Sequence, residues 1–143
     1  MPLSPTGTDV AGLTARSSPA IRRRDAETLT ALMQQVSGRE PATWGTIIGF
    51  GRVEYRYPTG RTGEMPLLGF APRKAASTIY LIDGVDAYAT ELSALGPHTT
   101  GAGCLYIKDL EQVDTDVLRG ILSRSLAWAE AGGSEGMRIT VRG

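Results

Sequence analysis

Arg73 and Lys74 follow Pro72 directly in LLGFAPRKAASTIYLI, between two apolar runs that read as strands. Proline fixes its own φ and pushes the residue before it, Ala71, toward extended backbone. A strand end followed by such a stiff corner holds the next two side chains near one spot on a sheet rim. A fork-shaped guanidinium beside a point-charge ammonium suits a carboxylate or a phosphate. The same two cations also read as a solvated turn that blunts a sheet edge against pairing with other chains.

Other residue types that could do chemistry are sparse. His98 is the one histidine and Cys104 the one cysteine, six positions apart across a glycine-rich loop. A cysteine inside an apolar strand reads first as a small core residue, so nucleophilic catalysis finds little support. Gly101 and Gly103 in TTGAGC lead into a strand rather than a helix, so they make a tight turn and not a phosphate-binding loop. One His and one Cys cannot supply a zinc site of clustered nitrogen and sulfur ligands. Oxygen ligands are more available: Asp109, Glu111, Asp114 and Asp116 crowd KDLEQVDTD and could hold ferrous iron at the surface. Asp at a helix start has a structural reason of its own, as a cap.

The elements that must position these groups are bounded by length and composition. A chain of 143 residues favours one domain that buries roughly two thirds of its unfolded surface. Fifteen basic residues balance fifteen acidic ones, which argues against bulk electrostatic capture of nucleic acid. A lone cysteine forms no intrachain disulfide and fits a reducing compartment. The N-terminal residues lack the basic-then-apolar pattern of a secretory signal, and no apolar run approaches a membrane span. A cytoplasmic protein that engages no membrane is the expectation.

Residues 1–19 are rich in Pro, Ser, Thr and Gly, without a period, and are expected as a mobile tail. Residues 20–131 are expected as one α+β domain, in the order α-β-β-β-β-α-β-α. Leu29, Leu32, Met33 and Val36 give an amphipathic helix over 21–36, stopped at Gly38, with Arg22, Arg23 and Arg24 on a solvated face. Four strands follow, over 46–50, 52–57, 65–71 and 77–82, with PTGRTGE as a hairpin turn. Their short links favour antiparallel pairing. A helix over 83–95 starts at Asp83 or Asp86, a fifth strand covers 104–108, and Asp114 caps a last helix. Residues 132–143 are either a short edge strand or a frayed tail.

Strand alternation sorts the side chains by face. Ile79 and Leu81 lie opposite Tyr80; Leu105 and Ile107 lie opposite Tyr106 and Lys108; Val53, Tyr55 and Tyr57 share one side. Helices packed mainly on one face of a sheet of about five strands leave the other partly open. The sides bearing Tyr80, Tyr106 and Lys108 are the candidates for that open face. The alternative is that the tyrosines fill a core or rim.

WGTIIGFGRVEYRYPTGRTGEMPLLGFAPRK, STIYLI and LGPHTTGAGCLYIKDLEQVDTDVL occur in that order. Together they resemble the YdhG-like family of small bacterial domains of unknown function, over residues 24–125. Where Ala71 stands, the family most often has serine. The resemblance implies helices packed on an antiparallel sheet, a plan similar to frataxin-like iron chaperones, and it carries an iron-chaperone role proposed for part of that family. It also draws Trp44 and Tyr57 into one working surface with Arg73, Lys74 and Lys108, because all five fall inside the matched motifs.

Two functions remain. The first is a non-catalytic binding domain whose open face and rim take a small anionic ligand or an acidic protein segment, through Arg73, Lys74, Lys108, Trp44, Tyr57, Tyr80 and Tyr106. The second is an iron chaperone using Asp109, Glu111, Asp114 and Asp116. No nucleophile with its base stands out, so an enzyme is not expected.

Overall fold

The computed structural model describes residues 5–143, which form an α+β fold with antiparallel pairing throughout its sheets. Four α-helices occur among the described residues: α1 Val10–Ala15, α2 Ala20–Ser37, α3 Ala89–Leu95 and α4 Thr115–Glu130. In α2 the stripe Ala26, Leu29, Leu32 and Met33 is buried. The helix stops at Gly38, whose φ of 67° suits glycine and whose N–H reaches the Gln34 carbonyl. The Asp114 carboxylate caps α4 by accepting from the N–H groups of Asp116 and Val117. Leu118, Ile121 and Leu122 then face inward.

The strands are β1 Pro41–Trp44, β2 Ile47–Phe50, β3 Val53–Arg56, β4 Thr62–Met65, β5 Leu68–Pro72, β6 Ser77–Tyr80, β7 Thr99–Thr100, β8 Cys104–Ile107, β9 Gly133–Ser134 and β10 Met137–Val141. Six of them form one sheet, in the order β1-β2-β5-β6-β8-β7. The other four form a second sheet, β4-β3-β10-β9. On one face of the larger sheet, Ile48, Phe50, Leu68, Phe70, Ile79, Leu105 and Ile107 join the α2 and α4 stripes in the main core. Burying each such side chain contributes roughly 1.5–3 kcal/mol. A smaller core, with Val53, Leu67, Ala129 and Ile139, lies where α4 meets the second sheet.

Several expectations change. The single sheet of about five strands becomes two sheets, because the run expected over 65–71 divides at Pro66. Met65 ends β4 in the second sheet, and Leu68 opens β5 in the first. Pro66 has no N–H to continue a ladder. Pro41–Trp44 adds a strand: it pairs with β2 through a two-residue turn whose Gly45 has φ 66°. Residues 137–141 form an interior strand of the second sheet, between β3 and β9, and not an edge or a frayed end. The expected N-terminal tail carries α1, which packs on α2, and a bridge from Gly7 to Thr43; residues 1–4 lie outside the described residues. The helix expected over 83–95 is a 3-10 turn, Asp86–Tyr88, followed by α3. Asp83 caps neither; it accepts from the Tyr88 hydroxyl and from Ser125 Oγ at 2.8 Å.

Arg22 is not on a solvated face. It is 3% exposed and donates to Ser77 Oγ at 3.0 Å, to the Ile107 carbonyl at 3.1 Å and to the Lys108 carbonyl. Its guanidinium stands 3.8 Å from Asp25, which is 1% exposed. Asp25 in turn accepts from the Leu110 N–H at 2.9 Å and from Arg24. A buried charge survives when it is paired and hydrogen-bonded, and this network ties α2 to the ends of β6 and β8.

Candidate functional site

Sheet register assembles the site on the face opposite the helices. Ala71, Thr78 and Tyr106 align across β5, β6 and β8. In the next row Gly49, Gly69, Tyr80 and Cys104 align across β2, β5, β6 and β8. Trp44 and Ile47 close the same face at β1 and β2. Tyr80 and Tyr106 therefore sit where alternation placed them. Trp44 shares their face but is 2% exposed, because its indole lies over Gly49.

A cleft of about 360 Å³ opens on this face, where the two sheets meet. Ile47, Gly69 and Tyr80 form its wall on the larger sheet. Tyr57, Met65 and Met137, from the side of the second sheet, face them. Pro66, Leu81, Ile82 and Gly103 complete the lining. Its size falls within the range of about 300–1,000 Å³ usual for small-molecule sites. Tyr57 reaches the cleft because Tyr55 and Tyr57 project to one side, ring centroids 5.3 Å apart.

At the end of β5 the Arg73 N–H bonds to the carbonyls of Ala71 (3.0 Å) and Ala76 (3.1 Å), so the corner after Pro72 is tight, as its sequence implies. The Arg73 guanidinium donates to the Tyr80 hydroxyl at 3.3 Å. One charged donor thus stands beside a residue of the cleft wall. Arg73 and Lys74 are exposed and neither lines the cleft. Lys108 is exposed beyond the end of β8. The Cys104 side chain holds the Tyr106 phenol above its ordinary value, with burial and Tyr80 adding to the effect. Tyr106 stays a neutral hydrogen-bonding group at ordinary pH.

The acidic candidates do not converge. Asp109 caps a 3-10 turn through the Glu111 N–H and takes Arg24 at 2.6 Å. Glu111 pairs with the same arginine at 3.3 Å. These partners, Asp25 foremost, raise the Arg24 pKa. Asp114 is the α4 cap, and Asp116 is exposed in the first turn. Among the described residues no group of three or more His, Cys, Asp or Glu side chains is placed to hold a metal ion. His98 Nδ1 contacts the Gly96 carbonyl at 2.7 Å in an exposed loop.

Comparison with family models, curated proteins and solved structures found no match to this chain. The site is therefore read from its own geometry. Sequence reasoning missed Ile47, Gly69, Met65 and Met137. One signal for the glycine was present: IIGF in β2 and LLGF at the start of β5, one residue before it included, are near copies, and they pair glycine to glycine.

Proposed function

We propose that this chain is a non-catalytic binding domain that takes a small anionic ligand where the open sheet face meets its rim. The observation that carries the reading is Arg73 donating to the hydroxyl of Tyr80, a residue of the cleft wall. A charged donor next to a concave, largely apolar surface is the usual makeup of a ligand site. Lys74 adds a second cation on the same corner. The domain would belong with the YdhG-like family that its motifs resemble and would act in the cytoplasm. The described residues include no helix long and apolar enough to cross a membrane. The alternative reading, iron at Asp109, Glu111, Asp114 and Asp116, draws no support from side chains already committed to Arg24 and to helix caps.

Amide chemical-shift titration with acetate, inorganic phosphate and a Glu-rich peptide tests the proposal. Saturable shifts centred on Arg73, Lys74 and Tyr80, lost in Arg73→Ala/Lys74→Ala, are expected. Shifts scattered over the surface, or unchanged in the double variant, would overturn it.

A further inference from the structure

The row Gly49, Gly69, Tyr80, Cys104 leaves a trough across the larger sheet, because its first two members have no side chains. The trough is used differently at its two glycines. A Cβ on Gly49 would fall 2.7 Å from Trp44 Cδ1 and Nε1 and 2.8 Å from Pro66 Cγ. That half is filled by the chain's own indole. A Cβ on Gly69 would be held less tightly, 3.3 Å from Ile47 Cγ2 and the Ile48 carbonyl and 3.4 Å from Pro66 Cβ, and Gly69 is part of the cleft lining. Ile47 and Pro66 border that half of the trough, and beyond them the cleft of about 360 Å³ opens toward Tyr80, Met65 and Met137.

The walls restrict what fits. Ile47, Met65, Pro66, Leu81, Ile82 and Met137 offer no strong hydrogen-bonding side chain. The side-chain hydrogen-bonding groups of the lining are the hydroxyls of Tyr57 and Tyr80. Two phenol rings and two thioethers favour a flat aromatic body: rings meet rings edge-on or offset, and sulfur packs well at a ring edge. The Tyr80 hydroxyl marks the polar end, where Arg73 stands. From these features we infer that the ligand class is a compact aromatic carboxylate, its ring system over Gly69 and its carboxylate at Arg73. This rests on the anion-binding reading above and narrows it.

The full chain is titrated with 1-naphthylacetate and with its neutral isostere, 1-naphthylacetamide, by calorimetry and by amide chemical shifts. The acid is expected to bind with shifts at Ile47, Gly69, Tyr80 and Met137. A hydrogen bond to a charged group is typically worth enough that the amide, or the acid on Arg73→Ala, binds about ten- to a hundredfold more weakly. Gly69→Val, which fills the floor, is expected to abolish binding of the acid. Should Gly69→Val fail to fold, Met137→Trp narrows the cleft from the opposite wall and must give the same loss.

Equal binding of acid and amide would overturn the inference, and so would acid binding that survives both Gly69→Val and Met137→Trp. Acetate or phosphate shifts at Arg73 without naphthylacetate binding would overturn the aromatic assignment while sparing the anion-binding reading. Naphthylacetate binding that ignores Arg73→Ala would overturn both.

Discussion

The two faces of the six-stranded sheet are made from the same strands and have opposite characters. Toward α2 and α4 the strands present Ile48, Phe50, Phe70, Ile79, Leu105 and Ile107, all with no measurable exposure. Away from the helices they present glycines, Thr78, Cys104 and tyrosines with polar tips, and the cleft opens among these. The first face is closed throughout by side-chain volume; the second is closed over Gly49 by Trp44 and opens beside Tyr80. Polar groups differ in the same way. The ion pair Arg22–Asp25 is sealed on the helix side and bonded to backbone and side chains, whereas Arg73 meets one hydroxyl and otherwise faces water. Stability should therefore reside on one face and ligand response on the other.

The largest effect expected is on the sealed side. Asp25→Ala leaves Arg22 buried without its counter-charge and the Leu110 N–H without its acceptor. Breaking a buried pair in this way costs about 3–5 kcal/mol, and urea unfolding should show a loss of that order. A cost below about 1 kcal/mol, the figure for exposed pairs, would mean that water reaches this network and that the two faces are alike.

Tyr88 offers a second break point on the helix side. It is 1% exposed and donates to Asp83, and burial together with that carboxylate raises its pKa well above the ordinary 10.0. The folded chain then keeps its phenolic proton where the unfolded chain loses it. Stability from this group is complete below pH 10 and declines as pH rises beyond it. Tyr88→Phe removes one partner of the Asp83 carboxylate, with an expected cost of about 1–3 kcal/mol at neutral pH. It should also flatten the alkaline decline, as followed by denaturation from pH 8 to 11.

A smaller loss, typically about 1 kcal/mol, is expected for Asp114→Ala, which removes the α4 cap. Anaerobic calorimetry with ferrous iron on the same variant sharpens the functional comparison: an iron heat that vanishes with this carboxylate would favour the acidic surface over the cleft. The smallest effect on stability belongs to the open face. Arg73→Ala should stay within about 0.5 kcal/mol of the parent in thermal unfolding while the anion response is lost. A large drop in Tm would make Arg73 a structural residue.

Much of the fold was legible in the sequence. The periodicity of α2 and α4, the Gly38 stop and the Asp114 cap all appear as read, and strand alternation placed Tyr80 and Tyr106 on one face. The second sheet was not legible, because it is closed by β10, some eighty residues from its partner β3, and local pattern carries no information on so distant a pairing. Arg22 was misread for a related reason: RRR is a charge run in sequence, but its first member meets Ser77 and Ile107 only once the chain has folded. Arg73 was legible as a strand-end cation and Tyr80 as a face residue, but the cleft that Tyr80 lines was not. Its floor is Gly69 and its far wall is Met65 and Met137, residues whose types announce no binding chemistry.

A crystal structure of the chain with 1-naphthylacetate is the most direct test. The ring system is expected beside Gly69, between Ile47 and Met137, with a carboxylate oxygen about 2.7–2.9 Å from the Arg73 guanidinium, the distance of a charge-assisted bond. A cleft free of ligand at saturating concentration, or a ligand seated elsewhere with Arg73 turned away into solvent, would contradict the proposed binding mode.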